Sequence, residues 1–510
     1  MVVADSADAS YAVNNPGFDS RFDLQSAGAL LMPSDLTVAA NVFGEKAVND
    51  QQLSSPMLQL EVEDMVLDNY RLEASEVASN GMVASFWNQK RDETGRGTRD
   101  RIVGYFNEDS EIILDPVLNG QALGKVGLNH AIRYISPDGD GDGTSWEQAA
   151  NIADLDALIE QSAPGDEVWL AGDLGNYEAD RAISLDSGGT WAAPVYVRGV
   201  ASRVGGKDTP LFVGDRTPNW APGQSHGDEV FRLLNGANHL HFSNIDFKNV
   251  GNGAFRLGGD LTDITLEEME ANNVRRFVEN AVAGGATTAS VSDLTIRDVD
   301  ILGFSKSAIR LQYDTHDVLI EDVYGDAQGQ DGDEFAMGVH LQGTVHNVVH
   351  RQVSMNNAIQ TKAESEYWNA DGFVSDYGTY DITYEDTYAS GSTDSGYDVK
   401  SYNTLFIRAA AADNKRNFRV WNFATMIDVV SDEPFKRGGT GSTAHIHVLE
   451  HGDLTITGGT FSGDKSIENI VFDLDDQGSL QVNGGIITDN LYTLNTVEDG
   501  SFTLNNLIES

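Results

Sequence analysis

The feature that most constrains this chain is a repeat. After residue 230, short segments of the form apolar-x-apolar-x-acidic-apolar recur: LHFSNIDFKNV (240–250), ITLEEMEANNV (264–274), LTIRDVDILGF (294–304), VLIEDVYGDA (318–327), VVHRQVSMNNA (348–358), ITYEDTYASGS (382–392) and LFIRAAAADNK (405–415). Their starts are separated by 24, 30, 24, 30, 34 and 23 residues. Between them lies a second strand type, often opened by a small residue: AFRL (254–257), AIRL (308–311), GVHL (338–341), GFVS (372–375), GYDV (396–399) and NFRV (417–420). Several short strands in each such period imply a solenoid. No helical stretch separates the strands, which argues against leucine-rich and all-helical repeats. Propeller blades need about 40–50 residues each. The expected fold is therefore all-β, a right-handed parallel β-helix in which each coil stacks on the next and buries Val, Ile, Leu and Phe. The segments LTITGGTFSGD (454–464), SLQVNGGIITDN (479–490) and SFTLNNLIES (501–510) read as further coils.

Upstream, the stretch 133–173 reads as strand, loop, helix, turn, strand. Ile152, Leu155, Leu158 and Ile159 share one helical face, and Pro164-Gly165-Asp166 ends the helix. A helix at 150–162 would cap the open N-terminal edge of the stack. The β-helix is expected over 131–510. Residues 57–130 read as a small β-rich region, with strands near 58–62, 83–87 and 102–106; LEVEDMVLDNYRLE and VGYFNED there resemble pieces of β-sandwich carbohydrate-binding modules. Residues 1–56 are poorly patterned and read as an irregular leader.

Charge excludes several partners. The 510 residues carry 79 acidic and 33 basic side chains, a formal charge of −46, so a nucleic-acid polyanion would be repelled. No stretch approaches the ~18–20 apolar residues of a membrane span. The absence of cysteine removes thiol catalysis, disulfides and Cys-ligated zinc. The N-terminus shows no basic and apolar signal regions. Against this background seven basic residues fall within 400–437: Lys400, Arg408, Lys415, Arg416, Arg419, Lys436 and Arg437. Such a patch suits a polyanionic sugar chain, because each uronate needs a cation for its carboxylate.

Residues 143–172 resemble the N-terminal cap of pectate-lyase-superfamily β-helices. NADGF (369–373), GSTDSGYDVKS (391–401) and NKRNFRVW (414–421) resemble polysaccharide lyase family nine. The resemblance covers roughly 133–425. It implies a Ca²⁺-dependent, secreted, monomeric lyase that cleaves a uronate-containing polysaccharide by β-elimination, with Asp371, Asp394 and Asp398 as calcium ligands. The family's second motif aspartate is here Ser395. The family's catalytic lysine matches Arg419, with Lys415 as the alternative catalytic residue. A guanidinium normally keeps its proton, so that base role needs help from Lys415, Arg416 and the metal.

The strand copies suggest that Asp371, Asp398 and Arg419 line up across one face, about 4.8 Å apart on adjacent coils. Expected substrate contacts are Arg416, Lys400, Lys362, Arg310, His340, Tyr397 and Tyr402. Trp368 and Trp421 flank the same region, and His346 and His350 share a coil with His340. DGDGDG (138–143) resembles half a calcium loop, but its twelfth position is Ala149. The competing functions are a polyuronate C5-epimerase, a non-catalytic polysaccharide-binding β-helix and a hydrolase with two facing carboxylates.

Overall fold

A computed structural model describes residues 131–509, apart from positions 164, 180, 219, 335, 465–468, 490, 491 and 497–499; of residues 1–130 it describes strands alone. The anticipated strands in the N-terminal region are Met57–Val62, Val83–Asn88 and Arg101–Phe106, paired antiparallel with their neighbours. Four more, Ala12–Asn15, Phe18–Arg21, Ala29–Leu31 and Thr37–Phe43, lie in the stretch read as irregular. The side-chain packing that a carbohydrate-binding sandwich would require lies outside the described residues.

From Ile132 onward the chain is a right-handed parallel β-helix. Twenty-four strands form one sheet and twelve form another. In the twelve-stranded sheet each strand between the two end strands pairs with the copy one coil before and one coil after it. The segments from AFRL to NFRV all fall in this sheet.

The recurring polar residue of the longer motif is a corner. Asn244, Glu268, Asp298, Asp322, Gln352, Asp386 and Arg408 occupy that position in successive copies, and all have φ between 51° and 57°. Short polar side chains tolerate this left-handed turn best, so most copies carry Asn or Asp. The turn reverses the in–out alternation, and the next residue points inward. Ile245, Met269, Val299, Val323 and Val353 there are fully or almost fully buried.

The interior is built of ladders. Tyr397 lies between Phe373 and Phe418, with ring centroids 4.8 and 4.9 Å apart and planes nearly parallel. Ile446 and Phe472 continue that row. The N-terminal coil is covered by a helix shorter than expected, Leu155–Glu160, which buries Leu155, Leu158 and Ile159; Ile152 sits in a preceding 3₁₀ turn. The DGDGDG stretch is the turn that packs beside it. A Cβ on Gly139 or Gly141 would overlap the backbone of Ala150 or Gln148, and Asp142 accepts from the backbone and hydroxyl of Thr144.

One core ladder carries a titratable group. His350 is fully buried and stacked on Tyr384 at 4.6 Å, and its Nδ1 lies 3.2 Å from the Thr383 carbonyl. Burial pushes its pKa from 6.5 down to about 4, partly opposed by that carbonyl. The unfolded chain therefore binds the proton first, and stability falls as pH drops from about 6.5 to about 4, by about 3 kcal/mol in all. A His350→Phe variant keeps the stack and should lose this part of the acid sensitivity. Urea unfolding at several pH values across that window checks it; an unchanged pH slope would contradict the assignment.

Candidate functional site

Five strands of the twelve-stranded sheet frame the site: β1 (Met337–Leu341), β2 (Asp371–Ser375), β3 (Ser395–Val399), β4 (Arg416–Val420) and β5 (Ala444–Val448). Each carries two consecutive inward residues. Beside the inward Phe373 and Tyr397, a Cβ on Gly372 would meet Ala389, and one on Gly396 would meet Asn414 and Ala411. In β4 the Asn417 amide likewise turns inward to Ser431 and Asp432. Outward residues are therefore three apart rather than two, and they form two rows. Asp398, Arg419 and His447 are direct neighbours in one row, preceded by Arg310, His340 and Val374. Ser395 pairs with Arg416 in the other, and Asp371, which pairs back to Met337, precedes them there. The expected single line of Asp371, Asp398 and Arg419 is thus corrected: Asp371 stands one row over.

At the centre is Asp394, wholly buried. Its carboxylate accepts from the Tyr367 hydroxyl at 2.6 and 2.7 Å. It also lies 3.1 Å from Lys415 Nζ, 3.1 Å from Arg416 and 3.5 Å from Arg419. Asp398 accepts from Lys400 Nζ at 2.8 Å and from Trp421 Nε1 at 2.6 Å. Lys400 also reaches Asp376 at 3.2 Å, and Asp376 lies 3.0 Å from His340 Nε2. Asp371 accepts the Ser395 backbone N–H at 2.8 Å. Arg419 lies over the Trp421 ring, 4.5 Å from its centroid.

These surroundings separate the carboxyl groups. Burial, then the charges of Asp394 and Asp398, raise Asp371 well above the usual carboxylate range. Burial opposes ionisation at Asp376 too, but His340, Gln342 and Lys400 outweigh it and hold that group low. The cations separate in the same way. Burial would loosen the Arg419 proton, yet Asp398 and Asp394 more than compensate and hold it tighter than usual. The expected help toward a neutral, basic Arg419 is therefore reversed in sign. Lys415 is shifted down by burial and by Arg416, but its side chain is completely enclosed. It bonds to the Trp368 carbonyl at 3.1 Å and lies 3.8 Å from the centroid of the Tyr367 ring. It can position Asp394 but cannot touch a substrate.

The other expected contacts divide. Arg416 is within the cluster, and His340 and Arg310 lie on the same outward row, Arg310 bonded to Gln342 at 2.7 Å. Tyr397 is corrected: it is a core residue with no exposed surface, because it belongs to the inward ladder, and its hydroxyl is satisfied by Thr387. Tyr402 is 54% exposed but opens a strand of the other sheet. Lys362 is exposed in the loop of residues 357–370. His346 stacks on His316 and Tyr380, away from His340. Of the seven basic residues in 400–437, Lys400, Lys415, Arg416 and Arg419 join the cluster. Arg408 pairs with Glu385 and Asp386, Arg437 pairs with Asp413, and Lys436 bonds the Gly441 carbonyl.

Sequence reasoning missed Tyr367 and Asp376. Both lie outside the repeats, and their only signal is proximity to NADGF and GFVS. His447 was also missed; its Nε2 lies 3.4 Å from Asp475.

The residues present do not fit the calcium ion implied by the family resemblance. Such an ion wants six to eight oxygens. Here both Asp394 oxygens face protein cations and a phenol, Asp398 is held by Lys400 and Trp421, and Asp371 favours its proton. The Ser395 hydroxyl, buried without a hydrogen-bond partner, is a single neutral donor. Among the described residues, no group of three or more His, Asp or Glu is placed to hold a metal.

No family model matches the chain, and no curated protein matches it. Solved structures resemble it. Pectate lyase Pel9A aligns over 77% of this chain and 81% of its own, at 11% identity and TM-score 0.34. The catalytic unit of a GH87 α-1,3-glucanase from Streptomyces thermodiastaticus aligns over 96% and 85%, at 11% identity and TM-score 0.45. The A-module of the Azotobacter vinelandii mannuronan C-5 epimerase AlgE6 aligns over 70% and 93%, at 14% identity and TM-score 0.37.

Proposed function

We propose that this chain is an extracellular enzyme that cleaves a uronate-containing polysaccharide by β-elimination on the outward face of β1 to β4. One observation carries the reading: Asp371, whose pKa burial and the neighbouring Asp394 and Asp398 raise, shares a sheet face with Asp398, which is held by Lys400 and Trp421. β-Elimination needs three things. The uronate carboxylate must be paired so that its C5 proton becomes acidic. A base must take that proton, and a donor must reach the departing 4-oxygen. Arg419 and Lys400 suit the first task. Their protons are held firmly, so they act as cations and not as bases. Asp398 is the carboxylate on the same row and suits the second. Asp371, whose pKa is raised by burial and by its carboxylate neighbours, suits the third.

Hydrolysis is the second reading, favoured by the same separation of Asp371 from a neighbouring carboxylate. Two carboxyl groups held in different protonation states are what glycoside hydrolysis uses. The products separate the readings. Wild-type protein incubated with pectate, alginate and glucuronate-containing polymers should generate an ultraviolet-absorbing unsaturated uronate. New reducing ends without absorbance would replace elimination by hydrolysis, and altered C5 configuration without chain cleavage would replace it by epimerisation. Binding of a polymer with none of these products would leave a carbohydrate-binding protein.

A further inference from the structure

We infer that this cluster is a preformed anion site whose positive charge comes from the protein, with Lys415, Arg416 and Arg419 standing where a divalent cation would otherwise be needed. The inference rests on the proposed reading only for the identity of the anion, a sugar carboxylate.

The argument begins with charge. Lys400, Lys415, Arg416 and Arg419 gather around Asp376, Asp394 and Asp398. Asp394 is met by three of these cations and Asp398 by two, an excess of cation contacts on a chain whose overall charge is −46. A divalent cation would add to this excess and would have to displace Lys415 or Arg416 from Asp394. An anion would complete it.

Accessibility then divides the work. Lys415 has no exposed surface, and the Arg416 side chain is 6% exposed. They are the fixed inner charge, held by Asp394, Tyr367 and the Trp368 carbonyl. Arg419 and Lys400 retain more exposure, 15% and 18%, and both approach Asp398, at 3.9 and 2.8 Å. Arg419 Nε is buried without a hydrogen-bond partner. The arrangement therefore presents a guanidinium and an ammonium outward over an inner pair that cannot move away. A carboxylate fits it, since guanidinium and carboxylate make charge-assisted hydrogen bonds.

Calcium uptake tests the claim without reference to turnover. Chelator-stripped wild-type protein, dialysed against CaCl₂, should take up no stoichiometric calcium at this cluster and should unfold at the same temperature with CaCl₂ or with chelator. Stoichiometric uptake that is lost in Asp394→Asn would overturn the inference. A Lys415→Ala variant, which removes one inner charge and no substrate contact, should lower affinity for the polymer that wild type binds by about 10- to 100-fold, the scale of one charge a few ångströms from the bound carboxylate. Propylammonium chloride should restore that affinity, and CaCl₂ should not. Recovery with CaCl₂ instead, or no loss at all, would also overturn it. Should Lys415→Ala fail to fold, the neutral Lys415→Met variant gives the same affinity comparison. If calcium is excluded but no acidic polymer is bound or altered by wild type, the proposed substrate fails while the metal-free charge arrangement stands.

Discussion

Replacing Asp371 by asparagine should slow polymer cleavage by about 10²- to 10⁴-fold, the usual contribution of a positioned proton donor. The amide matches the carboxylic acid in size and still offers an oxygen to the Ser395 N–H, so folding and polymer affinity should change little. The pH dependence adds a second readout. Burial and the charges of Asp394 and Asp398 hold the Asp371 proton above the usual carboxylate range. The active, protonated form therefore persists to higher pH than for an ordinary aspartate, and activity should be lost as pH rises through that raised value. Rate–pH profiles of wild type and Asp371→Asn check both points. A variant with wild-type rate, or a wild-type profile without an alkaline limb, would contradict the donor role.

The Asp394→Ala substitution should have the largest effect on stability. It leaves Lys415 fully enclosed and Arg416 nearly so, without the carboxylate that both approach at 3.1 Å. Removing one partner of a buried ion pair costs about 3–5 kcal/mol, because the remaining charge stays desolvated. Two cations lose their partner here, so the upper end of that range is expected. Solenoid coils stabilise their neighbours, so the loss should centre on the coils carrying β2 to β4. Asp394→Asn, which can still accept from Tyr367, should fall between wild type and alanine. Urea unfolding followed by tryptophan fluorescence measures the series. An alanine variant within about 1 kcal/mol of wild type would mean that Lys415 finds water or another acceptor.

Much of the fold was legible because a solenoid repeats its physics. The corner residue of each long motif adopts a left-handed turn, and the chain writes that need as Asn or Asp at 244, 298, 322 and 386. The small residues opening the second strand type were visible as well. Their reason was not: Gly372 and Gly396 face inward beside an aromatic residue, shifting the outward rows from two residues apart to three. That shift moved Asp371 off the Asp398–Arg419 row. Tyr397 looked like a surface aromatic for the same reason, since the motif does not reveal which of two adjacent residues turns in. The cation cluster was legible in part, as a basic run in an acidic chain. Which four of the seven residues meet depends on the loop that carries Tyr367, where no periodicity guides a reading. The protonation preferences of Arg419 and Asp371 arise from residues on neighbouring coils, so no local motif could carry them.

The most direct test of the account is where the polymer sits. Amide hydrogen exchange of the Asp371→Asn variant, with and without an acidic polysaccharide that wild type cleaves, reads this strand by strand. The account predicts new protection in β1 to β4 and in the loop of residues 357–370, with little change across the twenty-four-stranded sheet. Protection confined to that larger sheet, with β2 to β4 unchanged, would contradict it.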